Sequence, residues 1–304
     1  MRIVAIIQTY NEQRFIGDCL DHLAEQGISA YVIDNESTDD TVAIVERRIG
    51  QNVIGMETLE RDGHFALRSQ LKRKEELAQS LDADWFIHLD ADEFRASPDR
   101  GRSLAQAIQQ IDGEGFNAIN SLEFTFMPTR EAPNHEHADY LKTMRSYYPF
   151  LPQFPHRLNI WKRQDGPIEL AHSGGHIIRF PGLSMAPRSM YSRHYLFLSA
   201  EHAARKFGPG RYAREEIAAG WFRWRSRVDS TRIELPPESE LRTYTADYLL
   251  DPSEPREQHI AAEWTPPPKP PSVWRRAPDA LRRRSVRVRR LLSGSRASGR
   301  TGGG

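Results

Sequence analysis

Four short apolar runs alternate with three amphipathic segments in the first third of the chain, and this alternation constrains the fold more than any other feature. The apolar runs are residues 3–8, 30–33, 52–56 and 84–89, and the amphipathic segments are 13–26, 40–49 and 64–80. Continuous apolar runs are typical of strands buried on both faces, and helices between them imply right-handed crossovers. The sequence therefore predicts an α/β fold with a mostly parallel central sheet and helices on both faces.

The last of these runs ends in an acidic motif. The chain continues Asp90-Ala91-Asp92-Glu93-Phe94, which places two carboxylates at i and i+2 where a buried strand passes into a loop. Mg²⁺ or Mn²⁺ held by only one or two carboxylates keeps positions open, and substrate phosphates commonly fill them. Taken alone, the motif also fits a solvated turn.

Polar residues also follow the first two strands. Thr9-Tyr10-Asn11-Glu12 follows the first, and Asp34-Asn35-Glu36-Ser37-Thr38-Asp39 follows the second. Asn11, Ser37 and Thr38 would also suit helix capping, which is the structural alternative for each loop taken singly. Because ligands bind at the carboxyl ends of strands in open α/β sheets, three such loops at one sheet edge indicate a shared ligand site.

Together, these three motifs resemble those of the family-2 glycosyltransferases of the GT-A fold. The resemblance covers roughly residues 1–210 and is strongest over 1–95, with Asn35 and Glu36 standing where the usual pattern has Asp and Gly. It implies an inverting, metal-dependent enzyme that moves a sugar from a nucleotide-diphosphate sugar to an acceptor hydroxyl. The expected setting is glycan or polysaccharide synthesis, with a glycan, a lipid-linked molecule or a small molecule as acceptor.

The resemblance also implies roles for residues by their position. The nucleotide-sugar site would comprise Thr9, Asn11, Glu12, Asp34, Asn35, Ser37, Arg68 and Asp90. The cofactor, Mn²⁺ or Mg²⁺, would be held by Asp90, Asp92 and His194, and a neutral imidazole is a reasonable third ligand for Mn²⁺. Arg193 and Lys206 lie near His194 in the sequence, and each is a candidate for a phosphate contact.

The general base that deprotonates the acceptor has several admissible candidates. Glu169 and His176 are the catalytic residues we predict, and Glu123 is a third candidate. Residues 172–176 read His-Ser-Gly-Gly-His, and the two glycines would let the backbone approach a ligand closely. The alternative is a glycine turn beside a structural histidine. His135 and His137 fit either an acceptor contact or a surface loop.

The second half of the chain predicts less regular structure. We expect strands at 117–126, 157–162 and 176–180, an irregular surface insertion at 127–155, and helices at 198–207 and 212–227. The GT-A domain then spans 1–235, with a nucleotide-binding half at 1–95 and an acceptor or catalytic half at 96–235. An extension at 236–264 and a Pro- and Arg-rich disordered tail at 265–304 follow.

Charge divides the chain unevenly. The formal net charge is +1, but residues 265–304 hold eleven Lys or Arg and one acid. The tail therefore has a net charge of +10, and residues 1–264 have a net charge of −9. Such a tail fits contact with anionic lipid, non-specific nucleic-acid binding, or a disordered solubilising segment. We predict a cytoplasmic protein with peripheral contact to the inner face of the plasma membrane and no specific nucleic-acid partner.

Other features limit the remaining function classes. The lone Cys19 excludes an internal disulfide and a cysteine-based metal cage. The N-terminal apolar run meets Gln8 and Glu12 before any small-residue cleavage site, which favours a first strand over a signal peptide. A nucleotidyltransferase would need a Gly-rich basic first loop, and residues 9–14 contain no glycine. A degenerate nucleotide-sugar-binding module is the non-enzyme alternative.

Overall fold

The first half of the chain alternates strands and helices as predicted. The computed structural model describes residues 1–264 apart from 62, 138, 223, 230 and 246–249. The strands are β1 (Ile3–Thr9), β2 (Ser29–Asp34), β3 (Val53–Thr58) and β4 (Trp85–Asp90), and the helices between them are α1 (Ile16–Glu25), α2 (Thr41–Glu46) and α3 (Leu67–Ser80). The four strands pair in parallel in the order β4-β1-β2-β3. The α/β class is confirmed.

The sheet separates two apolar layers because every residue of β1 is buried and successive side chains point to opposite faces. Ile3, Ala5 and Ile7 pack in a core cluster that includes residues of α1 and of a further helix, α4 (Leu104–Gly113). Val4 and Ile6 pack in a second cluster with residues of α3. Helices therefore cover both faces of the sheet, as predicted.

The second half of the chain extends the same sheet with mostly antiparallel pairings. Its strands are β5 (Glu93–Ala96), β6 (Ala118–Phe126), β7 (Ser146–Phe150), β8 (Arg157–Lys162), β9 (Met190–Tyr195) and β10 (Arg242–Thr243). The order is β10-β7-β6-β8-β4-β1-β2-β3, and β9 pairs antiparallel with β5 and parallel with β6. The last strand of the parallel half, β4, joins β8 in antiparallel fashion.

Short helices complete the part of the chain that the structure describes. They are α5 (Tyr140–Thr143), α6 (Ala200–Lys206), α7 (Arg214–Ala218) and α8 (Ile260–Trp264). Residues 236–264 contribute β10 to the sheet, and buried Ile260 belongs to a third apolar cluster with Phe150 and Phe207. The predicted disordered tail at 265–304 lies outside the described residues. No helix in the described part is long and apolar enough to cross a bilayer.

Three predictions about the second half were wrong. The stretch 127–155 is not simply an irregular surface insertion, because it contains α5 and the five-residue strand β7, all of which is buried. Residues 176–180 form only isolated bridges, at Ile177 and Arg179, rather than a strand. The helix predicted for 212–227 is interrupted, since Gly220 and Phe222 adopt positive φ values of 93° and 54°.

Candidate active site

A cavity of about 670 Å³ opens at the carboxyl ends of β1 and β4. Its lining combines acidic, basic and aromatic side chains from both halves of the chain. The acids are Glu12, Asp39, Asp90, Asp92 and Glu136; the Lys and Arg residues are Arg14, Arg61, Arg205, Lys206, Arg211 and Arg225; the aromatic residues include Tyr10, Phe65, Phe207, Tyr212 and Phe222. This position agrees with the rule that ligands bind at the carboxyl edge of parallel strands.

The Asp-x-Asp turn forms one wall of this cavity. Asp90 ends β4, where it lies opposite Gln8 of β1, and its Oδ1 accepts a hydrogen bond from Gln8 Nε2 at 2.9 Å. Asp92 lies in the turn between β4 and β5 and is only 5% exposed. Its Oδ2 is 2.5 Å from Lys206 Nζ and 3.6 Å from His194 Nε2. Two cationic groups therefore converge on one buried carboxylate.

His194 is held in place by carboxylates on both sides of its ring. Its Nδ1 is 2.7 Å from Glu123 Oε1, while its Nε2 faces Asp92. Burial lowers the pKa of His194, but the Asp92 and Glu123 carboxylates outweigh burial and raise it to about 9. Burial likewise raises the pKa of Asp92, but Lys206 and His194 outweigh it and hold that pKa well below its usual range. The two carboxylates therefore favour the protonated form of His194.

Glu123 is committed to a buried ion-pair network and is poorly placed for proton transfer to an acceptor. Its Oε2 lies 2.8 Å from Arg157, and Arg157 also reaches Glu93 at 3.0 Å. Glu93 in turn contacts Arg95 at 2.8 Å. The Glu93 side chain is 1% exposed, so it supports the Asp-x-Asp turn from behind rather than facing water. This network links β5, which follows the Asp-x-Asp turn, to β6, β8 and β9.

The predicted metal ligands lie together but do not form a metal site in the present arrangement. Asp90, Asp92 and His194 all line the cavity. The donor set has suitable chemistry, and a carboxylate behind the imidazole, as Glu123 provides, is usual for metal-bound histidine. However, within the described residues no three His, Cys, Asp or Glu side chains are placed to hold a metal ion. The cation beside Asp92 is the Lys206 ammonium, so the observed geometry does not fit a bound metal.

Glu12 adds a third carboxylate near the Asp-x-Asp turn, and Glu12, Asp90 and Asp92 together form the acidic wall of the cavity. Glu12 Oε1 lies 3.6 Å from Lys206 Nζ. Burial raises the pKa of Glu12 to about 7; Lys206 opposes this shift, and the nearby charges of Asp92 and Asp90 add to it. The carboxylates of this wall repel one another, which makes the wall a place that favours added positive charge.

The two polar loops after β1 and β2 bind to each other. Asn11, at φ 56°, donates its backbone N–H to Ser37 Oγ at 2.9 Å and accepts the Thr38 N–H on its Oδ1 at 2.8 Å. Asp34 is buried and accepts hydrogen bonds from Thr9 Oγ1 and from the Ser37 N–H. The structural alternative, capping of α2 by Ser37 or Thr38, is not what the structure has: Asp40 is the N-cap residue, and Ser37 and Thr38 bind the first loop instead.

The predicted nucleotide-sugar residues divide into two groups. Thr9, Asn11, Glu12 and Asp90 line the cavity, whereas Asp34, Asn35, Ser37 and Arg68 are not among its lining residues. Asn35 donates its side-chain amide to the Leu59 carbonyl at 2.9 Å. Arg68 points toward Trp221, with its guanidinium carbon 4.8 Å from a ring centroid, and its backbone N–H is bound by Glu216. The second group braces the loops around the cavity.

A group of aromatic side chains that was not predicted from the sequence also lines the cavity. The guanidinium carbon of Arg61 lies 3.4 Å from the ring centroid of Tyr10. Tyr212 and Phe222 stack at 4.3 Å, and Phe65 meets both rings edge-on. The signal was hidden because residues 212–227 were interpreted as one amphipathic helix, whose aromatic residues would belong to the core.

The two predicted catalytic residues lie away from the cavity lining. Glu169 is exposed and forms a backbone bridge with Arg179. His176 stacks on His156 with their ring centroids 5.0 Å apart. His156 Nε2 lies 3.3 Å from Glu123 Oε2. Both catalytic assignments remain predictions.

The two glycines before His176 serve packing in this structure. A Cβ added to Gly175 would lie 2.5 Å from His88 Nε2, and the φ of Gly175 is 87°. A Cβ on Gly174 would lie 3.3 Å from Trp221. The close approach that two glycines allow is thus made to protein side chains.

The parallel β4-β1-β2-β3 unit with an Asp-x-Asp turn at its carboxyl edge fits the GT-A fold. Residues 4–151 match the family model described as Glycosyl transferase family 2. No curated protein sequence matches the chain.

The chain is also similar to solved structures of a Staphylococcus aureus protein. The chain is 16% identical to TarS with a TM-score of 0.37, covering 67% of this chain and 38% of TarS. It is 14% identical to TarS 1–349 in complex with UDP-GlcNAc, with a TM-score of 0.36, covering 67% of this chain and 64% of that one. The chain thus spans about two fifths of the length of the full TarS chain.

Proposed function

We propose that this glycosyltransferase moves a sugar from a nucleoside-diphosphate sugar to an acceptor hydroxyl, with inversion at the anomeric carbon. The observation that carries the proposal is the composition of the 670 Å³ cavity. Its lining offers Lys206 beside the Asp-x-Asp turn for a charged group, and the aromatic side chains of Tyr10, Tyr212 and Phe222 for a flat one. A nucleoside diphosphate has these two parts, a flat base and a polyanion.

The proposed chemistry follows from charge development on the leaving group. As the glycosidic bond to phosphate breaks, positive charge grows on the sugar ring and negative charge grows on the departing diphosphate. A fixed cation beside the phosphate stabilises the transition state more than the ground state, because the charge it neutralises is larger there. Lys206 at the cavity wall is placed to supply that stabilisation. Binding of Mn²⁺ or Mg²⁺ by Asp90, Asp92 and His194 would require Lys206 to leave Asp92 and His194 to lose its proton.

For the general base, a carboxylate that lines the cavity suits the chemistry better than Glu169 or His176, because the base has to reach the acceptor hydroxyl. Glu136 is such a group and belongs to the half of the chain that follows the nucleotide-binding loops. Ser199 and Arg205 donate hydrogen bonds to its two oxygens. Burial raises the pKa of Glu136, but the hydrogen bonds from these two partners outweigh burial. The net effect is a pKa below its usual value, which favours the ionised carboxylate. We infer that Glu136 contacts the acceptor.

Binding of donors tests the proposal directly. The purified chain is heated with a panel of nucleotide sugars and nucleoside diphosphates, with and without MnCl₂, and the melting temperature is recorded. A ligand at 100 times its Kd stabilises the fold by about 2.7 kcal/mol, which a melting curve resolves. Release of nucleoside diphosphate from the best donor then measures turnover.

A matched pair of variants makes this test specific to the cavity. Asp92→Asn, which removes the charge paired with Lys206, should change the donor-dependent shift, whereas Asp82→Asn, at a side chain that is 94% exposed, should leave the shift as in wild type. If no nucleotide sugar or nucleoside diphosphate shifts the wild-type melting temperature, the proposed function is wrong.

A further inference from the structure

We propose that Lys206 serves as the built-in cation of this active site, neutralising the donor diphosphate in the position beside Asp92 where a divalent metal would act. This inference rests on the proposed function and refines it, because it predicts donor binding that does not depend on added metal. It departs from the metal-dependent reaction that the sequence motifs imply.

The contacts of Lys206 place its ammonium at the centre of the acidic wall. Nζ lies 2.5 Å from Asp92 Oδ2 and 3.6 Å from Glu12 Oε1. It also lies 5.2 Å from the ring centroid of Phe15, within the range of a cation–π interaction. The side chain is 18% exposed, so the ammonium faces the cavity rather than bulk solvent.

The fold fixes where this lysine can reach. Lys206 is the last residue of α6, whose first turn is capped by Ser199 through its hydrogen bond from the His202 N–H. Ser199 is itself bound to Glu136, and the next residue after the helix, Phe207, is buried in the third apolar cluster. With both ends of α6 anchored, the lysine stem is directed into the cavity, and only its terminal bonds need to turn to move the ammonium from Asp92 to a bound phosphate.

Charge balance explains why such a cation is needed. Glu12, Asp90 and Asp92 face the same cavity and would repel a diphosphate if left uncompensated. Other cationic side chains line the cavity, but Arg61 lies over Tyr10 and Arg205 binds Glu136. Within the described part of the chain, Lys206 is the one cavity-lining Lys or Arg that forms an ion pair with the Asp-x-Asp turn. A second occupant at the same carboxylate, such as Mn²⁺, would have to displace it.

Binding of UDP, GDP and TDP, measured by isothermal titration calorimetry in EDTA and in MnCl₂, tests the inference. Wild-type protein should bind one of these diphosphates in EDTA, and Mn²⁺ should change its Kd by less than about threefold. Lys206→Met removes the charge at similar volume and should weaken binding in EDTA by roughly 10- to 100-fold, the usual effect of losing one charge-assisted hydrogen bond. Mn²⁺ should restore much of this loss, since Asp92 is then free to take a metal.

Two further variants keep the result interpretable. Lys206→Arg retains the charge and should retain binding in EDTA. Lys142→Met, at a side chain that is 80% exposed, should bind as wild type does. Unfolding curves followed by circular dichroism establish that each variant is folded before titration.

The outcomes separate this inference from the proposed function. If wild-type protein binds a diphosphate only with Mn²⁺, and Lys206→Met does the same with equal affinity, the role of Lys206 is overturned while the donor site stands. If Lys206→Met binds in EDTA as tightly as wild type, the inference also fails. If no diphosphate binds wild-type protein in either buffer, the proposed function and this inference fall together.

Discussion

Replacing Lys74 with methionine tests the electrostatics behind the Asp-x-Asp turn. Lys74 is 0% exposed on the inner face of α3, and its Nζ lies 2.8 Å from His88 Nδ1 and 3.2 Å from the Leu89 carbonyl oxygen. Among the described residues no carboxylate forms an ion pair with it. Burial lowers its pKa to about 7 from 10.5, and Asp90 and Glu93 only partly oppose this shift.

The sign and size of the effect follow from this depressed pKa. Because the folded-state pKa lies below that of the unfolded chain, the unfolded chain binds more protons between pH 7 and pH 10.5. The contribution of Lys74 to the free energy of unfolding is therefore highest above pH 10.5, where Lys74 is neutral in both states. It falls as the pH drops toward 7, because protonation then favours the unfolded chain. The whole interval corresponds to about 5 kcal/mol, and the interval from pH 7 to pH 9 to about 2 kcal/mol.

Urea unfolding of wild type and Lys74→Met at pH 7 and pH 9 measures this contribution. The free energy of unfolding of wild type, relative to that of Lys74→Met, should rise by about 2 kcal/mol between the two pH values. Lys72→Met on the same helix is the control, because that side chain is 59% exposed and pairs with Glu75. If the difference in the free energy of unfolding between wild type and Lys74→Met is the same at both pH values, burial does not lower the pKa of Lys74.

Three other predictions follow from the packing, the cavity and the tail. Gly175→Ala should lower the free energy of unfolding by about 1–3 kcal/mol in urea, because its Cβ would meet His88 at a positive φ; an equal loss in Gly166→Ala, where no atom lies within 4 Å, would contradict this reason. Glu136→Gln should slow sugar transfer by about 100-fold or more while the donor Kd stays unchanged, and full turnover would exclude Glu136 as the base. Deleting residues 265–304 should reduce co-sedimentation with phosphatidylserine vesicles, since each basic residue near the surface adds about 1 kcal/mol; unchanged sedimentation would refute membrane contact through the tail.

The first half of the chain was predictable because its elements are specified locally. The buried strand β1 and the amphipathic helix α1 each carry a periodicity that distinguishes them without tertiary information. The Asp-x-Asp motif was recognisable for the same reason, since both carboxylates belong to one short segment at a strand end. The cavity also gathers Thr9, Asn11 and Glu12 as expected, because parallel strands bring the loops after them to one edge.

The second half was less predictable because its elements depend on partners far away in sequence. The strand β9 is short and polar, and its register is set by antiparallel pairing with β5 and parallel pairing with β6. The N-terminus of α3 lacks a side-chain cap of its own and is bound instead by Glu216 of α7, through the N–H groups of Leu67 and Arg68. Contacts of this kind have no local pattern, so sequence alone could not assign them.

The register of β9 also determines which residues complete the active site. Glu93 of β5 lies opposite His194, so the strand that leaves the Asp-x-Asp turn directly aligns the histidine that faces Asp92. The chain then turns into α6 and delivers Lys206 to the same carboxylate. The family match ends at residue 151, before either cationic residue. The Asp-x-Asp turn thus lies in the matched region, while the two residues that face Asp92, His194 and Lys206, come from the segment beyond it. Donor binding with and without metal should therefore respond more to changes at Lys206 than to conservative changes in the loops that follow β1 and β2.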